Sequence, residues 1–277
     1  MKVKKIISTI FYVVAIFFLL VYGVAEILPH LSLSEMGRMF LLCGSCLFLF
    51  VGGVVWSKAT KNNKAMKINL WIFFVLYLVL LITLTLFDPM WGRNGIGLSN
   101  WTKESFNIYV ENALNLIPFK TISGYISDMF TSLKSTSTIF YNLLGNVVCL
   151  MPFAFFIPLL FKKIDNVKKF LLSILCITIG IELIQFISFS GSCDIDDVIL
   201  NTLGAVIMYL ILQIKTVKNL IRNIFLLEKN EINKKQIIIL AVIVIIIVSV
   251  FGVLIKVRER YYDKAVDEHT AKYNYNV

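Results

Sequence analysis

Apolar residues arrive along this chain in runs of about twenty, the length an α-helix needs to cross a hydrocarbon core of about 30 Å. Read this way, the pattern predicts seven spans: Ile6–Leu28, Met39–Trp56, Met66–Phe87, Thr138–Phe161, Lys169–Ile187, Val198–Gln213 and Gln236–Val257. The first run follows Lys2, Lys4 and Lys5 in the manner of a signal peptide. Its apolar stretch is longer than the usual 7–15-residue signal core and no small-residue cleavage site follows, so an uncleaved helix is expected. Internal repeats and low-complexity segments are absent from the sequence. The long connection from Asp88 to Ser137 stands apart from the short loops elsewhere.

Composition agrees with the pattern. The 277 residues are 58% hydrophobic and 16% charged, against about 45–50% and about 25% in soluble domains, and the mean hydropathy is +0.82. A soluble enzyme, a disordered tail and a secreted disulfide scaffold are all excluded. The expected fold is an all-α polytopic transmembrane bundle of about seven spans with a re-entrant or amphipathic outer segment. Its expected parts are two N-terminal helices over residues 1–66, a core over 67–215, and a cytoplasmic loop, last helix and external tail over 216–277.

The net charge of +10 reads as topology and lipid contact, not as nucleic-acid binding. With the N-terminus inside, seventeen basic residues fall on the inner side, including Lys58, Lys61, Lys64, Lys67 and the Lys162–Lys169 cluster, and ten fall outside. Acidic residues divide the other way. The expectation is a multi-pass membrane protein with its N-terminus cytoplasmic and Val277 external. The polar tail from Arg258 reads as a frayed external end. Of five cysteines, Cys43, Cys46, Cys149 and Cys176 lie in apolar runs and read as small hydrophobes. Cys43-Gly-Ser-Cys46 has redox spacing but lacks the βαβ context that would support it. Two histidines, His30 and His269, exclude a histidine-rich metal site.

Polar residues inside the spans carry the candidate chemistry. Asn142 and Asn146 lie four apart and share a helix face, with Gly145 between them permitting close helix approach. Glu182 and Gln185 lie three apart on the next helix. Asp194, Asp196 and Asp197 form the turn that follows, and Asn201 sits one helical turn further on. Each has a plain structural reading: aspartates at a helix start cap free N–H groups, and intramembrane asparagines tie helices together. Glu182 is different, since a carboxyl in a spanning segment costs about 2.5–3.5 kcal/mol on insertion scales and marks a functional site by default. The three polar faces converge at one depth in the expected outer leaflet. The stretch Asn115-Leu-Ile-Pro-Phe-Lys-Thr-Ile122 is too apolar for a solvated loop. Pro118 bars a simple helix through it, so it is expected to fold back over the outer mouth of the bundle. Residues Ile122 to Phe130 have amphipathic spacing.

These motifs in this order, Asn115–Ile122, Asn142-Leu-Leu-Gly-Asn146 leading to Met151-Pro152-Phe153 and Pro158, Glu182-Leu-Ile-Gln185, and Asp194-Ile-Asp-Asp197 with Asn201-Thr-Leu-Gly204, resemble the VanZ-like family of bacterial membrane proteins over roughly residues 70 to 213. That family is named for its association with resistance to the glycopeptide teicoplanin. Two departures stand out: Ala154 where the family commonly has Gly, and Gly191 where an Arg often precedes the aspartates, leaving Lys120 as the nearest motif cation. The resemblance implies a cell-envelope role, and two mechanisms stay open. In one, Asn115, Lys120, Thr121, Asn142, Asn146, Gln185 and Asn201 bind a membrane lipid, a lipid-linked cell-wall precursor or a lipoglycopeptide. In the other, Glu182, Asp196 and Asp197 are catalytic. Asp194, Asp196 and Asp197, with Asn201, would then supply oxygen ligands suited to Mg²⁺ or Ca²⁺, and Glu182, raised in pKa by its apolar setting, would act as general acid or base. Transport ranks below both, because paired halves are absent.

Overall fold

The computed structural model describes residues 2–28, 33–87, 101–131 and 136–227. The seventh expected span and the tail after it lie outside the described residues. Among the described residues, six stretches are long and apolar enough to cross a membrane: Lys2–Ala25, Gly37–Thr60, Lys64–Phe87, Asn142–Leu160, Val167–Ser188 and Ile195–Gln213. They coincide with the first six spans read from the hydropathy pattern.

The described residues divide into two compact units, one of those up to Asn69 together with 219–227, the other of those within Leu70–Lys218. In the first unit, α1 (Lys2–Ile27) packs along α2 (Glu35–Thr60). Ser8 donates to the carbonyl of Gly52 at 2.7 Å, and Asn69, at the start of α3 (Lys64–Ile82), donates to Leu49 O at 2.6 Å while accepting from Tyr12. Ser8 and Asn69 are buried, and each finds a partner within the unit, as an apolar surrounding demands.

The second unit carries the candidate site. α3 ends in a π-helical turn, Thr83–Phe87. After it come α4 (Lys103–Asn112), the two-residue strand β1 (Leu114–Asn115), α5 (Lys120–Thr131), α6 (Thr136–Cys149), α7 (Met151–Leu160), α8 (Val167–Ser188), β2 (Cys193–Asp194), α9 (Ile195–Gln213) and α10 (Lys215–Ile224). The span expected as one helix over Thr138–Phe161 is two, parted at Leu150. Pro152 is the cause: it lacks an N–H and its ring crowds the carbonyl four residues back, so the ladder restarts with the proline in the first turn of α7.

α9 packs against α6, α7 and α8. Its approach to α6 rests on Gly204, where a Cβ would overlap the carbonyl of Val147. Gly145, whose spacing suggests close helix approach, is exposed, and a Cβ there would meet nothing within 4 Å. The small residue that admits the neighbouring helix is therefore on α9. Toward the Lys162–Lys169 end, Phe74, Phe153, Phe156, Phe170, Ile174 and Tyr209 form an aromatic-rich core. There Tyr77 donates to Cys149 O at 2.8 Å, satisfying a carbonyl freed by the break after α6.

Candidate functional site

Two segments distant in sequence meet to build the site. β1 and β2 pair in parallel, Leu114 opposite Cys193 and Asn115 opposite Asp194, and Cys193 N donates to Ala113 O at 2.9 Å. The chain reaches β2 from α8 through Phe189 at φ 49°, the left-handed cap of that helix, and Gly191 at φ 83°. Gly191 occupies backbone space that side chains rarely adopt. That explains locally why a glycine stands where relatives were expected to carry Arg.

Asp194 caps α9, its Oδ1 accepting from Asp196 N at 2.8 Å. The same carboxylate accepts from Asn115 Nδ2 at 2.8 Å and, through Oδ2, from Thr121 Oγ1 at 2.5 Å. Asn115 Oδ1 takes the N–H of Ile117 at 3.1 Å. Asp196 is 0% exposed. Its two oxygens accept the backbone N–H of Phe119 and of Ile122, the latter at 3.0 Å. Between these anchors Lys120 N donates to Ile117 O, giving a turn with Pro118 second and Phe119 third. Phe119 is at φ 64°, the sign a type II turn requires at its third position. A phenylalanine holds this conformation only where its surroundings over-determine it, and the carboxylate of Asp196 supplies that constraint.

Glu182, buried on α8, accepts the N–H of Asp194 on Oε2 at 2.8 Å. Asp197 accepts from Asn146 Nδ2, joining α9 to α6. Asn201 Nδ2 donates to Asp197 O at 2.8 Å, and its Oδ1 is buried with no hydrogen-bond partner in the structure, as is Thr202 Oγ1 beside it. Asn142 sits one turn before Asn146, half-buried, and Lys120 is exposed.

The sequence grouped these residues more simply than the structure does. Gln185 shares the face of Glu182 by spacing, yet its Nε2 reaches Thr85 O at 2.9 Å in the π-turn, where Ser190 also holds Leu86 O. The three aspartates do not form a cation site. Among the described residues no group of three or more His, Cys, Asp or Glu side chains is placed to hold a metal. The physical reason is that Asp194 and Asp196 already use both carboxylate oxygens on N–H and O–H donors, while Asp197 turns toward α6. The donor set thus does not fit Mg²⁺ or Ca²⁺.

Some residues were not singled out from the sequence. Tyr109 is buried under Phe186 and Phe189, and Trp101 stacks on Phe189 at 4.7 Å and donates to Ile187 O at 2.8 Å. Periodicity marks these only as aromatics. Burial, with the thiol Cys193 and then Glu182 nearby, pushes the Tyr109 hydroxyl up to about 12. The Cys193 thiol rises to about 11, through burial first and then the negative field of Glu182, Asp194 and Asp197.

Over 129 residues the chain is 34% identical to Protein VanZ of Enterococcus faecium, an alignment covering 47% of this chain and 64% of that protein. The chain thus spans just under two thirds of that relative's length. No solved structure matches it significantly. A family model described as VanZ/LLP1 matches residues 74–216, which holds every site residue above and just over half of the chain. This multi-pass membrane protein belongs to the VanZ/LLP1 family.

Proposed function

We propose that this chain is a bacterial cell-envelope protein that binds a lipid-linked envelope component or a lipoglycopeptide, contributing to teicoplanin-type resistance. The binding groups are Asn146, Asp197, Asn201 and Glu182, with Asn142 at the rim. Asp194, Asp196, Asn115 and Thr121 position the turn that frames them. The observation that carries this reading is Asn201 Oδ1, a buried acceptor with no hydrogen-bond partner in the structure, beside the Asn146–Asp197 pair. Leaving such an atom unpaired costs about 1–3 kcal/mol, which a hydroxyl or amide N–H of a ligand would offset. Binding is favoured over chemistry at a metal held by the aspartates because those carboxylates already have protein donors.

The site lies at the end of α8 and α9 opposite the Lys162–Lys169 turn, and the lysine bias supports the reading that this end is outside. An external-side reporter fused at Asn107 should be active and one at Lys64 silent; the reverse pattern overturns the orientation. Function is tested by teicoplanin susceptibility of bacteria expressing Asn201→Ala, Asp197→Asn and Glu182→Gln, read beside membrane abundance. Loss of resistance at normal abundance supports the site. Unchanged resistance in all three, where the parent protects, refutes it.

A further inference from the structure

The turn that frames the site has a second face. Leu116, Ile117 and Phe119 are 67%, 62% and 60% exposed, an apolar knuckle on a segment that water would not favour exposing. Its depth follows from one hydrogen bond. Glu182 lies six residues before Ser188, the last residue of α8, or about 9 Å down the helix axis at 1.5 Å per residue. Its Oε2 holds the N–H of Asp194, and side chains on a helix lean toward its N-terminus, here deeper into the span. The turn before α9 therefore dips to the level of Glu182. Asn115, paired in register with Asp194, dips with it at the strand spacing of about 4.8 Å. Trp101 and Phe189 stack at the last turn of α8, as aromatics do at the border of water and lipid, and the knuckle lies below them.

Irregular backbone at that depth requires its polar groups to be satisfied by protein. The N–H groups of Ile117, Phe119, Lys120, Ile122 and Ser123 all have protein acceptors, and Pro118 has none to satisfy. The exposed faces of the spanning helices are apolar in the same way, as at Leu183 and Ile187 of α8.

We infer that Leu116–Phe119 is a re-entrant knuckle inserted among the acyl chains of the bilayer, held at that depth by the carboxylate of Asp196. The inference is independent of which ligand the polar side takes. It is tested in the full chain, reconstituted in phosphatidylcholine vesicles, with the photo-reactive p-benzoylphenylalanine in place of Phe119, and in a second variant in place of Leu116 in case the first does not fold. Illumination should add the mass of one phospholipid, attached through its acyl chain by fragment mass spectrometry. The same probe at Asn107, on the exposed face of α4, should give no acyl adduct. Adding Asp196→Ala should lower the adduct yield at the knuckle. An adduct to a second copy of the chain, an adduct confined to the headgroup, or a yield no higher than at Asn107 overturns the inference.

Discussion

Replacing Asp196 by Asn removes one of two acceptors from a carboxylate that is 0% exposed and holds the backbone N–H groups of Phe119 and Ile122. The amide can still accept one of these bonds, but its NH₂ group then faces the other N–H. Hydrogen bonds to charged groups contribute about 1.5–3 kcal/mol each. Relaxation of Phe119 from its left-handed conformation returns about 1 kcal/mol. The net loss is about 2 kcal/mol, or about 4–8 °C in melting temperature for a unit of this size. Asp197→Asn keeps an oxygen for Asn146 and removes a partly buried charge whose desolvation opposes folding, so its change should stay within about 1 kcal/mol. Melting curves of the purified variants at one scan rate separate the two cases, since irreversible unfolding makes the midpoint depend on rate. If Asp196→Asn melts within about 2 °C of the parent, or Asp197→Asn falls as far, the division between positioning and binding aspartates is wrong.

Gly204→Ala forces a methyl group into the carbonyl of Val147 and should lower stability by about 1–3 kcal/mol. Gly145→Ala, with open space around it, should match the parent or gain up to about 1 kcal/mol of helix propensity; comparable melting of the two variants would contradict the assigned packing. Cys193, with its thiol raised from 9.0 to about 11, should alkylate at pH 7.5 roughly a hundredfold more slowly in the folded protein than in the detergent-unfolded chain, because only the thiolate reacts. Equal rates by peptide mass mapping would show that burial and the neighbouring carboxylates do not hold the thiol in its protonated form.

Hydrophobic periodicity was enough to locate six spanning helices, because burying a run of about twenty apolar residues in lipid depends on length and composition and on little else. The same holds for Asp194 as a helix cap, since an aspartate before a helix satisfies N–H groups that every helix leaves free. Other features depended on which distant segment arrives. Spacing put Gln185 on the face of Glu182, yet a side chain is claimed by its nearest partner, and that was Thr85, a hundred residues away. Gly145 and Gly204 look alike as letters, and only the crossing of α6 and α9 decides which of them meets a backbone. The aspartates, read along the chain, suggest a cation site. In three dimensions the Asn115–Ile122 segment folds against them and offers N–H and O–H donors to Asp194 and Asp196. The sequence determined where polar groups sit along each helix. The tertiary structure decided which of them meet protein donors and which, like Asn201 Oδ1, meet none, because a hydrogen bond is fixed by distance in space and not by distance along the chain.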